Sequence, residues 1–333
     1  MNKELFYCIS ENTIPYRNLA LEEYLMESVP QDTVVLYLWQ NRHTVVAGRN
    51  QNPWRECRVE QLKADGGYFV RRLSGGGAVF HDLGNLNFTF LARDASYDVA
   101  RQLEVILQAV RALGVEAQKS GRNDIIADGR KFSGNAFYKS GGSCYHHGTL
   151  MVNADLNMLS KYLNASPEKL KSNGVASVRA RVVNLSGLAP DITVETLKKA
   201  LLDAFEKVYG AVALPVDEGK IDLKRIGELT EKFSSWEWNF GAKINFSKEL
   251  SRRFAWGELQ LQLAAKNGIV TEAAVFSDAI NGELIAKVQP LLCGARFTKE
   301  SLCDALEPLC KTAESDAEKE ITADIKRFLQ EDL

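Results

Sequence analysis

The chain has 333 residues, of which 45% are apolar and 25% charged, the balance of a globular protein rather than a disordered or fibrous one. Lys plus Arg number 41 against 43 Asp plus Glu, a formal charge of −2, so no bulk pull toward nucleic acid or an anionic membrane is expected. The longest apolar run, Val34 to Trp39, is far short of the ~20 residues that cross a bilayer.

Taken in order, the first ten residues lack the apolar stretch of a secretory signal. Thr33 to Trp39 and Thr44 to Gly48 are rich in β-branched residues and read as strands. Tyr68 to Arg72, Ala78 to Phe80 and Asn87 to Leu91 are short runs bounded by turn residues and read the same way. Between positions 97 and 113 Val99, Leu103, Ile106, Leu107, Val110 and Leu113 recur at helical spacing, and Val194, Leu197, Leu201, Leu202, Phe205 and Val208 repeat the pattern. Strands interleaved irregularly with helices predict an α+β fold rather than a regular βαβ series. After Ser235-Trp236-Glu237-Trp238 the pattern changes, which places a domain boundary at about 245 and divides the chain into 1–245 and 246–333. In the second part Leu259, Leu261 and Leu263 alternate with polar residues, Asn267-Gly268 signals a hairpin turn into Ile269 to Phe276, and helices follow from about Gly282.

Six of the 24 glycines fall between positions 66 and 84. The run Arg71-Arg72-Leu73-Ser74-Gly75-Gly76-Gly77-Ala78-Val79-Phe80-His81-Asp82 sets two guanidinium groups before three residues that lack a Cβ. Backbone N–H groups can approach an anion closely there, and arginine adds bidentate donors, so the run reads as an anion cradle. It is neither a Walker loop nor a GxGxxG turn. A second cluster, Gly121-Arg122-Asn123-Asp124 with Lys131-Phe132-Ser133-Gly134-Asn135-Ala136, offers a point charge for phosphate or carboxylate. Asp124 suits Mg²⁺ or simply a turn. Three of the four histidines lie in the glycine-bearing clusters: His81, His146 and His147. Adjacent histidines on a strand point to opposite faces and make a poor zinc pair. Either one packs in the core while the other faces water, or one of the two is a catalytic acid/base. The stretch from Ser172 to Arg181 is a lid or a plain connection. The six cysteines form no CxxC pair and no metal spacing, as expected of reduced thiols in a cytoplasmic protein.

These motifs, in this order, resemble the lipoate-protein ligase A family, and the likeness extends through Asn50-Gln51-Asn52-Pro53-Trp54, His147-Gly148-Thr149-Leu150, Ser177-Val178-Arg179 and Ser235 to Gly241. The resemblance implies a large catalytic domain of mixed and antiparallel sheets with flanking helices, followed by a small accessory α+β C-terminal domain. It implies activation of lipoate or octanoate by ATP and Mg²⁺ to an acyl-adenylate, then acyl transfer to a lysine of a lipoyl domain. The acceptors implied are E2 subunits of 2-oxoacid dehydrogenases and the glycine cleavage H protein. It implies a monomer, with no tightly bound organic cofactor and no nucleic-acid or membrane partner. By resemblance Lys131 is catalytic and touches both lipoate and nucleotide. Arg72, Gly77, Ala78, Val79, Phe80, Ser177, Val178 and Arg179 would contact the adenylate. Trp39, Ser74, Gly75, Gly76, His81, Gly134, His147 and Gly148 would line the lipoate site, with Asp124 a magnesium ligand. Charge points to Arg179 and Arg181 as a meeting place for an acidic acceptor. The rival reading is a lipoyl or octanoyl transferase of the same fold that uses preformed acyl donors without ATP. Its thioester form needs an active cysteine, and no cysteine lies within the motifs.

Overall fold

The computed structural model describes residues 4–121, 123–164, 181–241 and 245–333. The chain folds as two compact units, one of Met1–Val46, Trp54–Val70 and Val79–Ser235, the other of Ala47–Pro53, Arg71–Ala78 and Trp236–Leu333. The glycine-rich run is thus divided, and its first half packs as part of the C-terminal unit.

In the first unit, strands β1 (Glu4–Ile9), β2 (Thr33–Trp39), β3 (Thr44–Ala47), β4 (Tyr68–Arg71), β5 (Val79–His81), β6 (Asn85–Arg93), β7 (Ala117–Ser120), β8 (Asp124–Ala127), β9 (Arg130–Ser140), β10 (Ser143–Met151) and β11 (Ala213–Pro215) form two sheets. The larger has the order β11-β1-β2-β6-β10-β9-β8-β7 and the smaller β4-β3-β5. β1 runs parallel to both neighbours, and the rest of the large sheet is antiparallel. The parallel step from β1 to β2 needs a crossover, which helix α1 (Pro15–Ser28) supplies.

Alternation along the strands gives this sheet two unlike faces. Leu86, Phe88, Phe90 and Ala92 of β6 join Val34, Leu36 and Leu38 of β2 in one apolar core with helices α2 (Val99–Ala112) and α3 (Val194–Tyr209). Both helices match their predicted periodicity, and both start on a side-chain cap, Asp98 accepting from the Arg101 N–H and Thr193 from the Thr196 N–H. The opposite face carries Trp39, Asn85, Asn87, Thr89 and His147 and is covered by α1.

In the C-terminal unit, strands β12 (Lys248–Phe254), β13 (Gly257–Lys266) and β14 (Ile269–Ser277) form an antiparallel sheet in chain order. Asn267 and Gly268 take φ of 52° and 75° in the hairpin turn, as a type I′ turn requires. Leu259, Leu261 and Leu263 pack against Ile325 and Phe328 of the last helix, α4 (Asp316–Asp332). β12 has no counterpart among the predicted strands, because this edge strand, Lys-Glu-Leu-Ser-Arg-Arg-Phe, buries only Leu250.

Candidate active site

The polar face of the large sheet is built in register. Trp39 pairs with Asn87, and Asn87 with Thr149; one step along, Tyr37 pairs with Thr89, and Thr89 with His147. Two cross-strand rows of side chains therefore run from β2 through β6 to β10. The Trp39 indole N–H donates to Thr89 Oγ1 at 3.0 Å, and that hydroxyl donates to Glu22 Oε1 of α1 at 2.6 Å. His147 Nδ1 meets the same carboxylate oxygen at 2.9 Å. Glu22 is 1% exposed and His147 7%, so this carboxylate is held by hydrogen bonds rather than water. Asn18 of α1 accepts from the Tyr37 hydroxyl and donates to Asn41 Oδ1 at 3.0 Å. Asn41 in turn lies 3.4 Å from His81 Nδ1. The Trp39 ring stacks on Tyr37 and meets His81 edge-on.

His146 points the other way. Its ring nitrogens contact Gln102 of α2 and Asn135 of β9 at 3.1 and 2.8 Å. Burial, with the neighbouring His147 adding a smaller effect, pushes its pKa down to about 3. Of the two adjacent histidines, one is thus a core residue and one faces α1.

Lys131 reaches the α1 side of the sheet through an irregularity. In the β8–β9 ladder Asp124 pairs with Gly134 and Ile125 with Ser133, but Ile126 pairs with Lys131, which leaves Phe132 as the extra residue of a bulge. In a regular strand residues three apart face opposite ways. The bulge turns Phe132 into the core and returns Lys131 to the face of Asp124 and Gly134. The ammonium lies 2.7 Å from Asp124 Oδ1. A Cβ on Gly134 would come within 2.9 Å of Lys131 Nζ, so the missing side chain is what gives the ammonium its place. The Gly134 N–H donates to Thr149 Oγ1 at 3.2 Å, which continues the Trp39–Asn87–Thr149 row onto β9. From outside, the Lys131 backbone is held by the Arg181 carbonyl and the Val183 N–H at 2.8 and 2.9 Å. At Gly148 a Cβ would press on the Phe88 ring at 2.6 Å and the Gly134 carbonyl at 2.7 Å, so this glycine allows close packing on the core side.

In the C-terminal unit, the two arginines do different work from the cradle expected of them. The Arg71 guanidinium is 6% exposed at the residue level and donates to the carbonyls of Gly48, Arg49, Gln51, Trp238 and Asn239 at 2.8 to 3.1 Å. Its own N–H donates to Asn239 Oδ1, and its carbonyl accepts from the Trp238 indole. Burial, together with the charge of Arg49, pushes its pKa down to about 10, and it remains cationic at neutral pH. Arg71 is a clasp with every donor nitrogen taken, and the reading of its side chain as an anion ligand is corrected. Arg72 folds over its own loop, donating to Ser74 Oγ and to the Gly75 and Gly77 carbonyls.

The three glycines divide their duties as well. At Gly75 a Cβ would strike the Ala279 and Ile280 carbonyls at 2.3 and 2.4 Å. Gly76 has φ +89° and donates its N–H to the Ala279 carbonyl at 2.9 Å, a conformation that favours glycine. Gly77 has open space where a Cβ would stand. Ala78 follows it, Val79 and Phe80 open β5 in the first unit, and Phe80 stacks on Tyr162. Ser177, Val178 and Arg179, and also Arg122, lie outside the described residues. Glu22, Thr89, Asn41 and Asn87 are the polar residues that sequence reasoning missed.

Family models for the lipoyl protein ligase A/B catalytic domain and the bacterial lipoate protein ligase C-terminus match residues 14–206 and 243–326. Over 298 residues, 87% of this chain and 88% of the other, the sequence is 41% identical to lipoate-protein ligase A of Psychrobacter cryohalolentis. The fold is similar to that of P. falciparum LipL1 in complex with lipoate, with a TM-score of 0.83 and 29% identity over 97% of this chain and 99% of that one. It is also similar to a lipoate-protein ligase A bound with ATP, with a TM-score of 0.61 and 26% identity over 72% and 99% of the two chains. The family model over residues 14–206 and the 41% identical relative make the larger unit a catalytic domain of the lipoyl protein ligase A/B type. The chain belongs to the lipoate-protein ligase A family.

Proposed function

We propose that this protein is an ATP-dependent lipoate-protein ligase: it converts free lipoate, or octanoate, to the acyl-adenylate and passes the acyl group to a lysine amine of an acceptor protein. One observation supports this above the others. The bulge of β9 brings a lysine ammonium to the sheet face and cross-strand row that begin at the buried Trp39. With neighbouring strands 4.7–4.9 Å apart, the three intervals from Trp39 on β2 to Gly134 on β9 span roughly 14 Å, a length suited to a medium-chain acid with an apolar end.

In the first step a carboxylate oxygen attacks the α-phosphorus of ATP, and pyrophosphate leaves. Two anions must approach, so the barrier is lowered by fixed positive charge and backbone donors already aimed at them. Lys131 supplies the charge without forming a covalent bond. The adenylate would be met by Arg72, by the run Gly77-Ala78-Val79-Phe80 and by Ser177, Val178 and Arg179. Ser74, Gly75, Gly76, His81, Gly134, His147 and Gly148 would surround the acyl chain and its junction with the nucleotide, with Trp39 closing the far end. Mg²⁺ is typically held by one or two carboxylates together with substrate phosphates. Asp124, the carboxylate that meets the Lys131 ammonium, fits that role, and the ion would neutralise phosphate charge. In the second step the acceptor amine attacks the acyl carbon, and AMP leaves with the bonding electrons.

The thioester route to the rival transferase finds no support in the cysteines. Cys144, the one nearest the motifs, is buried and donates to Asp94 Oδ1, and burial with the Asp94 contact pushes its thiol pKa up to about 12, far from a reactive thiolate. No helix among the described residues is long and apolar enough to cross a membrane. We place the protein in the cytoplasm as a monomer acting on lipoyl domains of E2 subunits and the H protein. The decisive test is lipoate-dependent exchange of labelled pyrophosphate into ATP with Mg²⁺ present. Exchange is the expected result, and its absence in the intact protein returns the transferase reading.

A further inference from the structure

We infer that Asn87 is the donor that holds the acyl oxygen of the bound substrate. The inference rests on the ligase reading above. Asn87 is 2% exposed, and its Oδ1 accepts from Asn85 Nδ2 at 2.9 Å. With Oδ1 engaged by Asn85, Nδ2 is the end left over. Among the described residues no group accepts from Nδ2, and the atom is buried. A buried amide donor without an acceptor is costly, and native structures keep one chiefly where a ligand or water completes it.

The register says which ligand. Asn87 stands between Trp39 on β2 and Thr149 on β10, and the Lys131 ammonium lies over Gly134 one strand beyond. Asn87 and Gly134 are two strand intervals apart, roughly 10 Å. A carboxyl group gripped from both sides by hydrogen bonds of about 2.9 Å each fills most of that interval. The aliphatic part of a lipoate-type acid offers no strong acceptor, so the acyl oxygens are the group a lone N–H can meet. Lys131 contributes charge to both anions of the adenylation step. Asn87 contributes direction: its N–H keeps the carboxylate turned toward phosphorus, and in transfer it faces the carbonyl oxygen as negative charge grows there under attack by the amine. An uncharged donor of this kind acts most strongly in the transition state.

The test uses the full-length protein, with lipoate-dependent pyrophosphate exchange and transfer from synthetic lipoyl-adenylate to hydroxylamine as separate readouts. Asn87→Leu keeps the approximate shape and removes the donor. Transfer should fall by about 10²-fold, the scale for loss of one oxyanion donor, with little change in KM for ATP. Asn87→Asp places an acceptor at the same point, and its transfer rate should recover as the pH is lowered and the new carboxyl gains a proton to donate. A purely structural role would not produce that recovery. Transfer by Asn87→Leu within threefold of the unaltered protein overturns the inference. If Asn87→Leu fails to fold, a pH profile of Asn87→Asp parallel to that of the unaltered protein overturns it instead. Loss of exchange in the unaltered protein speaks against the ligase reading, not against Asn87 alone.

Discussion

Glu22 and His147, 125 positions apart in the chain, meet at 2.9 Å beneath α1. They form a buried pair that also ties Trp39, through Thr89, to the same carboxylate. The helix and the sheet face are therefore joined by one polar network, and removing Glu22 takes a buried hydrogen bond from both Thr89 and His147. Glu22→Leu should destabilise the protein by about 3 kcal/mol, the usual cost of breaking a buried charged or hydrogen-bonded pair. Urea unfolding of the variant would measure this; a loss below 1 kcal/mol would mean that water replaces Glu22 at little cost.

His146 predicts a pH effect with a definite sign. Its native pKa is depressed from 6.5 to about 3, so between those values the unfolded chain binds a proton that the folded one refuses. Stability from this group is present above pH 6.5 and falls as the pH drops toward 3. From pH 7 to pH 5 the loss is on the order of 2 kcal/mol. Replacing the imidazole with an amide, His146→Gln, should flatten the slope of urea midpoints between pH 5 and 7. An unchanged slope would show that other groups set the acid limb.

Lys131→Ala should lower the adenylation rate by about 10² to 10³-fold, the price of one charge-stabilising donor in a preorganised site. Pyrophosphate exchange would read it. Gly134→Ala offers a finer version. A methyl there meets only the mobile end of Lys131 at short range, with Thr149 Oγ1 at 3.9 Å, so the fold should survive while the ammonium shifts. Unchanged thermal stability with a clear drop in exchange is the expected pair of results. Full activity would separate the ammonium's position from the chemistry.

Much of this fold was legible because its core helices and inner strands obey a simple period. Thr33 to Trp39 coincides with β2, and the helices near 99–112 and 194–209 show clear apolar stripes. The lysine and histidine clusters announced themselves by composition. α1 did not, because its inward face mixes Leu19, Leu25 and Met26 with Asn18 and Glu22. Those polar residues serve the site, and in doing so they erase the stripe that would reveal the helix. Nor could the sequence show that Arg71 is consumed by carbonyls from positions 48–51 and 238–239. An arginine beside glycines looks the same whether it waits for an anion or closes a loop. The bulge at Phe132 is equally silent, since register belongs to pairs of strands and not to one of them.

Trp39 tests the far end of the row. It is 3% exposed, and its indole N–H is bonded to Thr89, so Trp39→Val removes a ring and a donor together. The cavity should cost about 3 kcal/mol in stability. If the ring is the end wall of the acid site, the same space should admit carboxylic acids with bulkier ends, read as exchange with a panel of such acids. Lost stability with an unchanged substrate range would return Trp39 to the core.

The Arg71 clasp makes the last prediction. Its guanidinium joins carbonyls of two chain segments that sit far apart in sequence, and no carboxylate is among the partners described. Arg71→Lys keeps the charge but offers one nitrogen in place of a planar fork of three, so it cannot reach all five carbonyls. Arg71→Met removes the charge and strands the carbonyls in a buried place. Both should destabilise, Met by about 3 kcal/mol or more and Lys by a similar or smaller amount. Because Arg71 is not aimed at a ligand, KM for ATP and lipoate should stay within a few-fold in whatever fraction remains folded. A large rise in KM for ATP with stability intact would restore Arg71 as an anion ligand and show that the clasp opens when nucleotide binds.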